Sequence, residues 1–275
     1  MSRFFAFAVA LVIGIQAAQA GTLDRVRDSG VFRIGYRADA KPYSYLDDRG
    51  KAAGYIVDLC REVAKAIGPD IRTEFVRIDA NQRFEALRDD IADILCEPSS
   101  ITMARREMVD FSIPTFLDGA SVLSRTGNPI RGVEDIAGKR VGVLQNTTTE
   151  QVLRAALGEL KLKATILPVR DHRVGFSLLS DNKIDAYFAD RGIAMALVHE
   201  GGRPGFQVSQ RYFSYETYAL ALPRNDSAFR LLVDRTLAEL YRSGRINAIL
   251  EKTFGKVQPR DMLTSMFVIN SLPEK

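Results

Sequence analysis

Apolar residues along the chain alternate between helical spacing and short buried runs. The segment "YIVDLCREVAKAIG" carries apolar side chains at helical spacing from Ile56 to Ile67, and Gly68 with Pro69 ends it. The runs "VFRIGYR" and "ADILCE" have the length and composition of buried strands. A further amphipathic helix, "LLVDRTLAELYRSG", is ended by Gly244. This alternation of strands and helices predicts an α/β fold.

Two stretches of the chain share one pattern. "FEALRDDIADILCE" from Phe84 and "FSLLSDNKIDAYFAD" from Phe176 both carry Leu three residues on, Asp five on and Asp nine on. Upstream, "GVFRIGY" at Gly30 and "GKRVGV" at Gly138 both open a strand. Chance similarity between two α/β units is the alternative, because such units share composition. The repeat predicts two similar lobes, and a small-molecule site in the cleft where their strands end.

The N-terminal segment has the features of a secretory signal peptide. Arg3 precedes an apolar run over residues 4–15, and "AQA" at 18–20 supplies the small residues of a cleavage site. The run is shorter than the roughly 20 residues that span a bilayer, although a retained anchor is the alternative. We predict a signal peptide over 1–20, cleavage between Ala20 and Gly21, and export to the periplasm.

Composition excludes several classes of function. The net charge is +4 and the pI is about 9.1, but Lys and Arg are mixed with acids, which argues against a nucleic-acid face. We find no catalytic motif, metal-type cluster or phosphate loop, so no cofactor is expected. Cys60 and Cys96 are the only cysteines, and the sequence leaves open whether they form one bridge or remain two buried thiols.

Several longer segments resemble the periplasmic solute-binding proteins of polar amino acid ABC importers, which are bacterial extracellular solute-binding proteins of family 3. They are "GYIVDLCREVAKAIG", "ADILCEPSSITMARREMVDFS", "GKRVGVLQNTTTEQVL" and "ETYALALPRNDSAFRLLVDRTLAELYRSGRINAILEKTFG". The similarity to which they belong extends over nearly all of the mature chain, in the family's order. The resemblance implies a type II two-lobed fold, a monomer without enzyme activity, and hinge closure that delivers an amino acid to membrane permease subunits. It also implies the domain boundaries: lobe 1 from 21–114 and 219–275, lobe 2 from 120–213, and a hinge at 115–119 and 214–218.

The resemblance also implies how the head group of an amino acid is held. Ser100 and Arg105 would hold the α-carboxylate from one lobe, since a guanidinium can grip a carboxylate with two hydrogen bonds. Thr147 and Thr148, at a helix N-terminus, would face the same group from the other lobe. Asp190 would pair with the α-ammonium. The alternatives are a solvated helix Arg, helix capping alone and an ordinary strand-end Asp.

The likeness is strongest to the glutamate/aspartate-binding members, through "YRADAKPYSYLDD", "NQRFEAL" and "RDHRVGFSLLSDNKID". It implies that Arg37, Arg83 and His172 face an acidic ligand side chain, with a surface loop position as the alternative for His172. Three guanidinium groups are then expected to outnumber a single carboxylate in the site. Aspartate, glutamate and a related dicarboxylate all remain open.

Two residues depart from the pattern of those members. Pro98 offers a carbonyl but no N–H, and Ala80 replaces a hydroxyl. Both departures put an expected ligand contact in doubt. Two other functions remain open: a binding protein for another polar amino acid, and a cyclohexadienyl (prephenate/arogenate) dehydratase-like enzyme on the same fold. Asp190 argues against the enzyme, because it would repel a dianion that lacks an amine.

Overall fold

The computed structural model describes residues 21–200, 202, 204–256 and 261–275. The predicted signal peptide over 1–20 lies outside this range, and the predicted cleavage site between Ala20 and Gly21 lies at its edge. The strands are β1 (Val31–Tyr36), β2 (Asp39–Ala40), β3 (Ser44–Leu46), β4 (Ala52–Ala53), β5 (Arg72–Arg77), β6 (Ile94–Cys96), β7 (Asp110–Phe111), β8 (Phe116–Asp118), β9 (Ala120–Arg125), β10 (Arg140–Leu144), β11 (Thr165–Val169), β12 (Ala186–Asp190), β13 (Phe206–Val208), β14 (Glu216–Tyr218) and β15 (Ala221–Leu222).

Helices cover both sheets. They are α1 (Thr22–Ser29), α2 (Tyr55–Ile67), α3 (Arg83–Arg88), α4 (Met103–Arg106), α5 (Thr148–Glu159), α6 (His172–Ser180), α7 (Arg191–Glu200), α8 (Ser227–Arg242), α9 (Ile246–Phe254) and α10 (Asp261–Ile269), with a 3₁₀ turn at Val133–Ile136. The predicted helices are present as α2, which ends at Gly68, and α8, which ends before Gly244. None of the helices in the described part of the chain is long and apolar enough to cross a bilayer.

Two five-stranded sheets form the two lobes of the fold. Their strand orders are β5-β1-β6-β15-β7 and β11-β10-β12-β9-β13. In each sheet the first three strands of that order are parallel to one another and the next strand is antiparallel to them. The sequence repeat thus corresponds to a repeated sheet topology, and the predicted α/β fold with two similar lobes is confirmed.

The Asp nine residues into each repeat has the same structural role in both lobes. Asp93 precedes β6 and accepts a hydrogen bond from the Arg33 backbone N–H at 2.7 Å, with the Arg33 guanidinium 2.8 Å away. Asp185 precedes β12 and binds Arg140 in the same way, at 2.9 Å to both groups. Each pair fastens the second strand of the sheet order, β1 or β10, to the strand that ends at the cleft.

The two lobes are connected by a pair of short antiparallel strands. Strands β8 and β14 form their own two-stranded sheet, in which Asp118 faces Glu216. Strand β8 leads into β9 of the second sheet, and the chain returns through β14 to β15 of the first. These strands lie within the two segments expected to form the hinge, 115–119 and 214–218.

A disulfide joins Cys60 to Cys96, with 6.2 Å between their Cα atoms. It links the middle of α2 to the last residue of β6, so the strand that leads into the cleft is covalently tied to the helix that covers it. Both cysteines are fully buried in the apolar core.

We expect the double substitution Cys60→Ser with Cys96→Ser to lower the free energy of unfolding by about 4 kcal/mol, because the bridge closes a loop of 36 residues. Urea unfolding followed by circular dichroism measures the change. Wild-type protein unfolded with a reductant should show the same loss, and a difference below about 1 kcal/mol would contradict a stabilising bridge.

Candidate functional site

A cavity lies between the two lobes, where β6 and β12 end. All nine residues expected to bind the ligand line it, together with Glu97, Leu144, Thr149, Phe188, Ala189 and Ile193. The nine are Arg37, Arg83, Pro98, Ser100, Arg105, Thr147, Thr148, His172 and Asp190. Residues far apart in the sequence are therefore brought to one place, and each lobe supplies part of the wall.

Arg105 is held against the cavity by the short helix α4. The Thr102 hydroxyl caps this helix by accepting the Arg105 backbone N–H at 3.1 Å. The Arg105 guanidinium donates to the Ser100 carbonyl at 2.7 Å and is 8% exposed, and burial lowers its pKa. Its neighbour Arg106 is exposed and lies over the Phe111 ring. Of the two adjacent arginines, only Arg105 can present a guanidinium to a guest in the cavity.

The first turn of α5 forms the opposite wall. The Thr147 hydroxyl accepts the Glu150 backbone N–H at 3.1 Å and donates to the Leu144 carbonyl at 2.7 Å, so it caps the helix. The Thr148 hydroxyl donates to Glu216 at 2.6 Å. Both hydroxyls are thus engaged with protein groups. What this wall offers an anion is the positive end of the helix dipole and its backbone N–H groups.

Asp190 ends β12 on the same wall. Its two oxygens accept hydrogen bonds from the Thr149 and Tyr218 hydroxyls, both at 2.7 Å. Burial, followed by the nearby charges of Glu216 and Asp118, raises the pKa of Asp190 to about 7. A cation beside Asp190 would favour its ionised form, so the position suits an ammonium group.

Arg37 and His172, which both line the cavity, each bind Asp39. The Arg37 Nε donates to Asp39 at 2.9 Å, and the His172 backbone N–H donates to the other oxygen of Asp39 at 2.9 Å. Burial lowers the pKa of His172 to about 4, and its Nδ1 lies 2.9 Å from the Tyr187 hydroxyl. His172 is therefore neutral at pH 7 and lies inside the site, although the sequence left open a surface position.

Glu97 directly follows β6 and changes the charge of the site. It is 1% exposed, and its carboxylate lies 3.5 Å from the Arg83 Nε and 3.9 Å from an Arg37 Nη. The expectation that Asp190 is the only acid facing three arginines is wrong, because Glu97 also lines the cavity and Asp39 pairs with Arg37. Burial lowers the pKa of Arg83 to about 10, so its guanidinium stays charged at pH 7.

Several contacts cross the cleft and hold the two lobes together. The Ser100 and Thr148 hydroxyls, one from each lobe, both donate to Glu216 of β14. Asp118, in the neighbouring strand β8, accepts the Tyr43 hydroxyl at 2.7 Å and the Gly192 backbone N–H at 2.9 Å. Two carboxylates of the strands that connect the lobes, Glu216 of β14 and Asp118 of β8, thus each bind both lobes.

Sequence reasoning missed Glu97, Asp39 and Glu216. One signal was present for the first: "ADILCE" and "DAYFAD" are the corresponding strands of the repeat, and both run into an acid at the cleft. A second was present for Asp39, which lies two residues after Arg37 and therefore on the same face of an extended chain. Nothing in the sequence marks Glu216 as a bridge between the lobes.

The comparisons with known proteins agree with this geometry. Residues 32–256 match the bacterial extracellular solute-binding proteins, family 3. The chain belongs to this family. An L-glutamate/L-aspartate-binding protein of Pseudomonas aeruginosa is 28% identical over 246 residues, which cover 87% of this chain and 82% of that protein.

Two further relatives show the range of the family. A solved structure of the solute receptor for L-cysteine of Neisseria gonorrhoeae has a TM-score of 0.79 at 26% identity and covers 87% of this chain and 98% of that chain. A cyclohexadienyl dehydratase of Pseudomonas aeruginosa is 30% identical, over 85% of this chain and 86% of that protein. The predicted family and two-lobed fold are confirmed, and the chain is a solute-binding protein for amino acids rather than an enzyme.

Proposed function

We propose that the chain is the periplasmic substrate-binding component of an ABC importer, which captures an amino acid by hinge closure and delivers it to permease subunits as a monomer. The observation that carries the proposal is the juxtaposition of Arg105, the α5 N-terminus and Asp190 around one cavity. Arg105 and the helix end supply positive charge for an α-carboxylate, and Asp190 supplies negative charge for an α-ammonium. The head group of an amino acid carries both charges on one carbon.

The proposed ligand is an acidic amino acid, glutamate or aspartate. Arg37 and Arg83 line the same cavity as the head-group residues, and neutral His172 adds a polar side chain. Groups of this kind suit a side chain that ends in hydrogen-bond acceptors. The relative from Pseudomonas aeruginosa that is named an L-glutamate/L-aspartate-binding protein supports the same class of ligand.

Calorimetric titration with the twenty amino acids and with several dicarboxylates tests the proposal. We expect heat with glutamate or aspartate, and little with amino acids that have apolar side chains. If no amino acid gives heat and the protein turns over a cyclic dicarboxylate such as prephenate, the proposal is wrong and the chain is a dehydratase-like enzyme.

Closure of the lobes can be tested at the rim of the cleft, away from the ligand. Lys41 of the first lobe and Glu200 of α7 form an ion pair at 2.5 Å, with both side chains about 40% exposed. We expect Glu200→Lys to weaken ligand binding about threefold, because exposed pairs contribute at most about 1 kcal/mol. Adding Lys41→Glu should restore the affinity. Equal affinities in all three proteins would show that this pair does not contribute to closure.

A further inference from the structure

Glu97 has one carboxylate oxygen that the described protein does not satisfy. Its Oε1 accepts the Ser99 hydroxyl and lies nearest to Arg83. Its Oε2 is fully buried and makes no hydrogen bond with any described residue, while the nearest guanidinium nitrogen, from Arg37, is 3.9 Å away. Glu97 lines the cavity, so a ligand that carries a hydrogen-bond donor can satisfy this oxygen.

The two guanidinium groups beside Glu97 each have a carboxylate nearby, although the Arg83 Nε makes no hydrogen bond with any described residue. Arg37 is held by Asp39 at 2.6 and 2.9 Å, and Arg83 lies beside Glu97. A ligand carboxylate that enters here adds a negative charge to a nearly balanced, buried set. Two carboxylates that share a buried site cannot both ionise freely, and one takes up a proton. A ligand amide adds no charge and can donate its N–H to Glu97.

We infer that Glu97 is a specificity-determining residue, and that an acidic ligand binds with one proton shared between Glu97 and its side-chain carboxylate. The proton comes from solvent and lies between Glu97 Oε2 and a ligand oxygen, so no bond between heavy atoms changes. An amide of the same length binds without that proton. This inference rests on the proposed function and names the protonation state in which that site accepts its ligand.

The charged groups that face Glu97 come from several elements. Arg37 follows β1, Asp39 lies in β2, Arg83 begins α3 and Arg105 lies in α4. His172 begins α6, and burial keeps it neutral because its pKa is lowered to about 4. Asp190, on the opposite wall, titrates near neutral pH and responds to the ligand's ammonium. Comparing glutamate with glutamine removes the contribution of Asp190, since both ligands have the same head group.

The test is calorimetry of glutamate and glutamine at pH 8, in buffers of different ionisation enthalpy, which gives the number of protons taken up with each ligand. In the wild type we expect glutamate to take up close to one proton more than glutamine. We also expect the ratio of glutamate affinity to glutamine affinity to rise by up to about tenfold for each unit by which the pH is lowered from 8 to 6. Glu97→Gln should remove both effects and raise the glutamate affinity at pH 8 at least tenfold.

The control is Glu85→Gln, which changes an exposed acid of α3 and should behave as the wild type. The proton difference in the wild type tests the inference even if Glu97→Gln is unstable. Glutamate binding without extra proton uptake, or extra uptake that persists in Glu97→Gln, would overturn the role of Glu97 and leave the proposed function intact. Glutamate binding only to Glu97→Gln would support that role and overturn the proposed ligand. If glutamate binds neither the wild type nor Glu97→Gln, both the role of Glu97 and the proposed ligand would be overturned.

Discussion

Arg105→Ala should weaken binding of the amino acid by at least roughly 30-fold. The guanidinium is buried at the cleft. Without it, a ligand carboxylate would still give up its hydration on entering the cavity but would find no charged partner there. Truncating one member of a buried, hydrogen-bonded charge pair costs about 2–5 kcal/mol, which corresponds to a weakening of roughly 30-fold to several thousand-fold. Calorimetric titration with glutamate and aspartate measures the effect. Arg105→Lys should recover only part of it, because an ammonium cannot grip a carboxylate with two parallel bonds.

The chain supplies a matched control in the next residue. Arg106 belongs to the same helix, α4, but is exposed and faces the Phe111 ring. Arg106→Ala changes the same net charge by the same amount, so long-range electrostatics cannot account for a difference between the two variants. We expect its affinity to stay within about threefold of the wild type, which corresponds to under 1 kcal/mol. Similar affinities for Arg105→Ala and Arg106→Ala would refute the carboxylate role of Arg105.

The main elements of the fold could be predicted from the sequence because apolar periodicity directly reflects which face of each element is buried. Helix α2 ends at Gly68 as expected, and the two repeats occupy equivalent strands of the two sheets. The pairing of Cys60 with Cys96 was not predictable, since it depends on the packing of a helix against a strand. Sequence spacing gives no distance between such elements.

The cationic residues of the candidate site could be predicted from the sequence, but the balance between its positive and negative charges could not. A motif can assign a role to Arg37 or Arg83, but whether that charge is already neutralised depends on acids brought close by the fold. Glu97 would be an unremarkable solvated residue on an exposed strand end, and only its burial makes it a partner of Arg83. Asp39 likewise acts through a contact with His172 from the other lobe. The ligand's side-chain charge therefore depends on tertiary contacts.

Thr147 shows a second limit of sequence reasoning. A Thr before a helix can cap it or bind a ligand, and both functions use the same hydroxyl. The structure uses this hydroxyl for the cap, since it accepts the Glu150 N–H and donates to the Leu144 carbonyl. The position of Thr147 on the cavity wall was predictable from the motif. Which acceptor its hydroxyl donates to depended on the backbone geometry around it.

Asp190→Asn should remove the preference of the site for a ligand that carries an amine. The carboxylate can pair with an ammonium, whereas the amide keeps the shape and one acceptor but has no charge. The sharpest comparison is glutamate against glutarate, which has the same two carboxylates and no amine. We expect the wild type to bind glutamate at least 100-fold more tightly than glutarate, and Asp190→Asn to reduce that ratio to below about tenfold; this reflects a loss of about 1.5–3 kcal/mol for a charged hydrogen bond.

The pH dependence of the same ratio gives an independent test. The pKa of Asp190 is raised to about 7, and the ammonium binds its ionised form, so below pH 7 a proton must leave before the pair can form. The ratio of glutamate to glutarate affinity should fall by up to about tenfold per unit as the pH is lowered below 7, because glutamate needs the ionised form of Asp190 whereas glutarate is repelled by it. Any proton shared with Glu97 cancels, because both ligands carry the same side-chain carboxylate. In Asp190→Asn the ratio should not change with pH, and a wild-type ratio that is equally flat would show that Asp190 does not bind the amine.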